Sequence, residues 1–283
     1  MTGRLLMFWD YDTQWGTDAD RARGLPGSAA SGAREFECTD RLLELHARFG
    51  VTACFAVVGA AALPGERPYH DPGQIRRIHQ AGHEVASHAF QHEWLPALRP
   101  AALDQTLRRS RTAIEECIGA PVTSFVPPYN QPFDYPAGLS FSRSERRQVR
   151  HGRIDVPALC RALDRNGYTF CRVAYRPVHL RLADRVRGRR VDGPVRVERI
   201  GGVTCCRLNS AGGFAADAVS LVERAAREGG IAVVYGHPHS LGAGNSQDER
   251  WLVPFLARVQ ALESAGRLRS VRPRELVQED RAA

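Results

Sequence analysis

The 283-residue chain is 43% hydrophobic and 25% charged, ordinary values for a globular protein with a sizeable core, and no apolar segment approaches the length of a membrane span. Its formal net charge of +8 would suit nucleic acid, but all 39 basic residues are arginine, which reads as the codon usage of a GC-rich genome, and no aromatic–basic recognition module accompanies them. Seven cysteines form no Cys-x-x-Cys pair and several lie in apolar runs, where a thiol packs as a small hydrophobe; with no apolar leader at the N-terminus, the expected location is the cytoplasm.

Leu5-Leu6-Met7-Phe8-Trp9 is a continuous apolar run that stops at Asp10-Tyr11-Asp12, the signature of a strand buried on both faces. Residues 13–34 are polar and glycine-rich and read as a long loop, followed by a helix from Thr39-Asp40 to a Gly50 stop. Val51–Val58 is the next strand, and Asp71-Pro72-Gly73 opens a second helix that ends at Gly82. A short strand then runs into His88. The pattern continues with an amphipathic helix over Ala101–Ile118, a strand over Val122–Val126, a helix over Asp155–Asn166 and a strand over Tyr168–Ala174. Late in the chain come a helix over Phe214–Arg227, a strand over Gly230–His237, a helix over Glu249–Ser264 and a strand near Leu268–Val271.

Strand and helix alternate throughout and no glycine-rich phosphate fingerprint is present, so the expected fold is a distorted (β/α)7-8 barrel rather than an open Rossmann sheet. The whole chain, 1–283, is expected to be one domain with rim insertions at about 130–152 and 177–211, the second forming a hairpin.

Barrel strands bring their carboxyl ends to one rim, and several end here in reactive side chains. The first ends in Asp10 and Asp12; the third in His88, with His92 four residues on; the fourth in Pro127-Pro128-Tyr129; and the late one in His237-Pro238-His239. At helical spacing His88 and His92 would stack on one face and converge on a divalent ion, although two polar histidines at a helix start give the same pattern. An aspartate and two histidines make a three-ligand set that leaves a position for water, a second carboxylate can act as general base, and a further histidine can protonate a leaving amine.

The order of these motifs resembles the polysaccharide deacetylases of the NodB homology type, carbohydrate esterase family 4. Trp9-Asp10-Tyr11-Asp12 is similar to the family's Phe-Asp-x-Asp, Gly82–His92 to its Gly-His-Glu…His-x-x-x-His, Val126-Pro127-Pro128-Tyr129 to its Arg-Pro-Pro-Tyr, and His237 to its late histidine. The resemblance implies a NodB-like barrel and one divalent metal ion held by Asp12, His88 and His92: zinc first, with iron, manganese, cobalt or nickel as alternatives. It implies that Asp10 is the base, that the Tyr129 backbone N–H stabilises the oxyanion, and that His237 is the acid, with His239 its rival. His83 is expected to face away from the site by strand alternation from His88.

In one place the chain departs from the family. Val126 stands where the family has the arginine that pairs with the base aspartate, and Arg172 or Arg176 is expected to supply that charge from the fifth strand. Trp15 and Pro128 complete the substrate-side candidates. The Asp-x-Asp spacing looks closer to the family's intracellular branch.

The implied function is hydrolysis of the amide of an N-acetylated amino sugar, as a small glycoside or a nucleotide-linked or phosphorylated sugar. A deformylase or cyclic-amide hydrolase, or a non-catalytic sugar-binding relative, is the alternative. Phe133, Tyr135 and Phe141, followed by Arg143, Arg146, Arg147, Arg150 and Arg153, suggest an anionic sugar substrate. No nucleic-acid or membrane partner is implied, and oligomeric state is left open.

Overall fold

The computed structural model describes residues 2–25, 31–133, 154–175, 182–183, 185–186 and 193–282. Its centre is β1 (Gly3–Tyr11), longer than the apolar run because Asp10 and Tyr11 continue the ladder. The helices α1 (Thr13–Ala22) and α2 (Ser31–Phe49) follow, then β2 (Cys54–Val57), α3 (Pro72–Gln80), β3 (Glu84–Ser87) and α4 (Pro100–Ile118). Next come β4 (Ser124–Phe125), α5 (Val156–Arg165), β5 (Phe170–Val173), β6 (Glu198–Ile200) and β7 (Val203–Arg207). The described chain closes with α6 (Ala216–Glu228), β8 (Ile231–Gly236), α7 (Glu249–Ser264), β9 (Leu268–Ser270) and α8 (Pro273–Ala282).

The strands form one curled sheet in the order β6-β7-β5-β4-β3-β2-β1-β8, and β9 pairs with the first residues of β1. Every pairing is parallel except β6–β7, the expected hairpin, which turns at Gly201 and Gly202 with φ of 56° and 91°. This is the distorted barrel that the strand–helix alternation predicts.

Two sequence expectations fail between residues 13 and 38. The stretch read as a loop contains α1, and α2 begins at Ser31, eight residues before the Thr39-Asp40 start that was expected. The buried residues of α1 are Thr13, Gly16 and Thr17, so its inner face carries no apolar period to detect. Gly16 is required there, because a Cβ would come within 2.5 Å of the Asp12 side chain. Asp40 does not cap α2 but accepts hydrogen bonds from Gln74 at 2.8 Å and Arg77 at 2.7 Å.

Alternation along the strands divides the core into two layers. Leu5, Met7, Trp9 and Tyr11 pack outward against helices, while Leu6 and Phe8 share the barrel lumen with Cys54, Ala56, Ala86, Val126, Phe170, Cys206 and Val233. Asp10 has the parity of Phe8, and Arg172 that of Phe170, so both arrive at the top of the lumen. Cys205 and Cys206 fall into opposite layers, as neighbours in a strand must, and the seven cysteines are free thiols.

The barrel closes at the outer edge of β8 through very few groups. Val195 and Ile231 exchange backbone hydrogen bonds of 2.9 and 2.8 Å. The Asn209 amide adds to this: Nδ2 donates to the Gly193 and Ile231 carbonyls at 2.9 Å, and Oδ1 accepts from Val233 N–H at 2.8 Å, while Ser210 Oγ donates to the Val233 carbonyl at 2.8 Å. Asn209→Ala removes the side-chain partner of the Gly193 carbonyl and of Val233 N–H and is expected to cost about 1–3 kcal/mol. At roughly 2–4 °C per kcal/mol for a chain of this size, calorimetry should show Tm lowered by several degrees.

Candidate active site

The site lies at the carboxyl ends of β1, β3, β4, β5 and β8. Asp12 occupies the residue before α1 but makes no capping bond to that helix. Its carboxylate instead meets the two histidines: Oδ1 lies 3.3 Å from His88 Nε2 and 3.6 Å from His92 Nε2, and all three groups are buried. The donor atoms of Asp12, His88 and His92 lie within 4.8 Å of one another, and among the described residues no other histidine, cysteine and carboxylate group does so.

The histidines converge by a route the spacing did not predict. Residues 88–92 are a turn rather than a helix, with Ala89 and His92 in the left-handed region at φ of 63° and 59°. The Glu93 carboxylate accepts from the Phe90 and Gln91 N–H groups at 2.9 and 2.8 Å, and the Ala89 carbonyl accepts from Gly59 N–H at 2.9 Å. A helix would have paired these backbone groups internally; the turn pins them to its neighbours and swings His92 back over His88, with ring centroids 5.0 Å apart.

These residues fit a divalent cation. His88 donates Nδ1–H to the Val126 carbonyl at 2.7 Å, which fixes the ring and directs Nε2 toward Asp12. Asp12 Oδ1 is buried and has no hydrogen-bond partner among the described residues. Burial pushes the His92 imidazole down to about 4, whereas at His88 the neighbouring Asp12 and Asp10 carboxylates outweigh burial and raise the imidazole. Burial opposes ionisation of Asp12, but His92 and His88 outweigh it and hold the carboxyl well below its usual range. A buried carboxylate converging with two imidazole nitrogens is a donor set that a divalent ion satisfies, displacing any proton held there.

Asp10 sits beside this cluster, held on both oxygens by Arg172: Nη1 to Oδ1 at 2.9 Å and Nη2 to Oδ2 at 2.7 Å, with both side chains buried. Burial alone would raise the Asp10 carboxyl, and the Arg172 guanidinium reverses that to a net lowering. This resolves the substitution at Val126. Phe125 pairs with Cys171 across β4 and β5, so Val126 is level with Arg172, and the arginine stands one strand sideways at the same height. The Phe8 and Tyr235 rings floor the guanidinium at 5.1 and 4.8 Å. Arg176 lies outside the described residues, as do Tyr135, Phe141 and the arginines from 143 to 153.

Tyr129 and Asn130 are both left-handed, at φ of 58° and 54°. The Tyr129 ring lies 4.6 Å from His92 and 5.4 Å from Trp94, and Pro128 is buried in the same turn. Asn130 Oδ1 accepts from Arg172 Nη2 at 2.9 Å. Trp15 packs against Tyr69 and His70 with centroids 5.1 and 5.9 Å away, and makes no ring contact with the metal-site histidines among the described residues. His83 accepts from Ala53 N–H at 3.1 Å and packs on Phe55, away from the site as alternation predicts.

His237 and His239 both stand at the rim, 5.4 Å apart by centroid. His237 Nε2 lies 4.0 Å from Asp12 Oδ2, and Gln247 Oε1 accepts from the His237 backbone N–H at 2.7 Å and faces Nδ1 at 3.2 Å. His239 Nδ1 meets Glu35 Oε2 at 2.9 Å. Sequence reasoning missed Asn130, Gln247 and Glu35. Glu35 alone had a signal: positions 35, 38, 42, 45 and 49 form the apolar stripe of α2, and a carboxylate within such a stripe is anomalous.

A family model described as polysaccharide deacetylase matches residues 32–137, which include His88, His92 and the Pro127-Pro128-Tyr129 turn. Among solved structures, a Mycobacterium smegmatis protein named for the polysaccharide deacetylases shares 18% identity over 99% of this chain and 91% of its own, with a TM-score of 0.65. A family 4 carbohydrate esterase from Streptomyces lividans, solved with acetate, is 15% identical over 95% and 91% with a TM-score of 0.47. A family 4 acetyl xylan esterase from Clostridium thermocellum, solved with a cobalt ion, is 14% identical over 97% and 90%, also at 0.47. No helix among the described residues is long and apolar enough to cross a membrane.

Proposed function

We propose, for a chain whose residues 32–137 belong to the polysaccharide deacetylase family, that it hydrolyses the amide of an N-acetylated amino sugar with the help of a divalent metal ion, zinc first. The observation that carries the proposal is the buried convergence of Asp12, His88 and His92 beside the forked Asp10–Arg172 pair. Asp12, His88 and His92 would hold the ion. When bound, a divalent ion polarises an acyl carbonyl and brings water toward its nucleophilic form near neutral pH.

The remaining work falls to the chain's own groups. Asp10 is fixed by Arg172 on both oxygens, keeps a lone pair on each, and is assigned as the general base that takes the proton of the attacking water. The left-handed turn at Tyr129 would offer its backbone N–H to the oxygen that becomes negative at the tetrahedral carbon. The proton for the departing amine comes from the histidine turn after β8, where His237 stands nearest to Asp12.

The test incubates protein loaded in turn with zinc, manganese and cobalt with a panel of N-acetyl and N-formyl amino sugars, neutral, phosphorylated and nucleotide-linked. Free amine and released acid are measured. Acetate with free amine supports the proposal, formate moves the assignment to a deformylase, and no amine from any loaded form overturns it.

The two aspartates should separate. Asp10→Asn is expected to retain stoichiometric metal and lose on the order of 10²–10⁴-fold in kcat, the usual size of a general acid–base contribution. Asp12→Asn should lower metal content first. Elemental analysis paired with rate measurement on both variants checks it, and the opposite pattern exchanges the two roles.

A further inference from the structure

Glu35 is the most deeply buried carboxylate near the site, 0% exposed, and no step above uses it. Its Oε2 meets His239 Nδ1 at 2.9 Å, while Oε1 is buried with no hydrogen-bond partner among the described residues. A buried carboxylate with half of its acceptors unmet is costly, so its one contact, to His239, has to be worth that cost.

His237 and His239 are prepared in opposite ways. The acceptor facing His237 Nδ1 is the neutral carboxamide oxygen of Gln247, which offers an imidazolium no counter-charge. His239 has an anionic partner instead: burial disfavours its charged form, and Glu35 more than reverses this and raises the imidazole. Nε2 lies on the far side of the ring from Glu35, and the side chain is 24% exposed, so that nitrogen opens toward the rim. Beyond Glu35, the charged or titratable groups near His239 include Asp12, just before α1, Asp20 on α1, and His237 on its own turn.

We propose that Glu35 and His239 are a second working pair of this site, in which the buried carboxylate is a positioning residue and His239, rather than His237, donates its Nε2–H to the leaving amine. In this step the Nε2–H bond breaks as the new N–H bond forms on the amine. The electrons of the scissile C–N bond stay with that nitrogen, Glu35 remains ionised, and solvent reprotonates His239. A carboxylate on Nδ1 does two things for such a donor: it fixes the tautomer and stabilises the imidazolium. The assignment rests on the amide hydrolysis proposed above, and its test separates the two.

Glu35→Gln preserves shape and leaves Asp12, His88 and His92 untouched, so metal content should be unchanged. Expected are a kcat about 10²-fold lower with KM within twofold. Losing the carboxylate lowers the His239 pKa, so its protonated form is lost at lower pH, and the alkaline limb of the kcat profile should move down. Glu35→Asp should recover part of the rate, and adding Glu35→Gln to His239→Gln should cost nothing further.

A second readout needs no substrate. Nitrogen NMR of the His239 ring should show a proton on both nitrogens in the wild type at a pH where Glu35→Gln has already lost one. If turnover is absent but this difference is present, the amidohydrolase reading fails and the pair stands as a structural fact without its assigned step. If turnover is normal and Glu35→Gln changes neither the rate, the alkaline limb nor the ring protonation, the pair is overturned. A His239→Gln variant with wild-type kcat overturns the donor assignment by itself.

Discussion

Replacing His88 or His92 with alanine is expected to remove bound divalent metal and on the order of 10³-fold or more of the activity. Each replacement takes one of three donors from a site whose third member, Asp12, has a buried oxygen with no other partner. A catalytic ion is worth several kcal/mol in the transition state, and each ~1.4 kcal/mol is a tenfold change in rate. Stability gives an independent check. A ligand present at 1,000 times its Kd stabilises the folded state by about 4 kcal/mol, so adding zinc should raise the Tm of the wild type markedly and that of the variants little. His92→Ala is the cleaner variant, because His88 also donates to the Val126 carbonyl at 2.7 Å and its loss disturbs that strand end. Stoichiometric metal in both variants by elemental analysis would remove the foundation of the proposed function.

Arg172→Met should be the most damaging substitution outside the metal ligands. It strands the Asp10 carboxylate, 4% exposed, without the guanidinium on either oxygen. Breaking one partner out of a buried pair costs about 3–5 kcal/mol, and at roughly 2–4 °C per kcal/mol the expected fall in Tm is on the order of 10 °C. Arg172→Lys should recover little, because an ammonium cannot span both carboxylate oxygens as the fork does. The double variant Asp10→Asn with Arg172→Met should regain stability without regaining activity, since no charge is then left unpaired. Thermal unfolding of the four proteins checks this, and an Arg172→Met protein that unfolds with the wild type would show that the pair is dispensable.

Much of the rim was legible in the sequence because the information there is local. An apolar run that stops at Asp10-Tyr11-Asp12, and another that stops at His88, place those side chains at strand ends by alternation and length alone. The same parity put His83 on the opposite face from His88. Where a helix hides its buried face in small polar residues, as α1 does with Thr13, Gly16 and Thr17, alternation and period carry no signal, and that stretch was misread as a loop. That misreading also concealed Glu35, since a helix started at Thr39 leaves no stripe for the carboxylate to interrupt.

By itself, then, the chain determined the barrel, the rim it presents, and which of its ends carry carboxylates and imidazoles, because these depend on periodicities of a few residues. Tertiary structure alone decided how Arg172, one of two arginines expected from the sequence, forks onto both oxygens of Asp10 across 162 positions, that a left-handed turn rather than a helix folds His92 over His88, and that Glu35 lies against His239, 204 positions away. Those choices are made by strand register and by which buried charge finds its counter-charge. Neither is encoded in local spacing, because the energy of such a pair depends on where the folded chain brings its two halves.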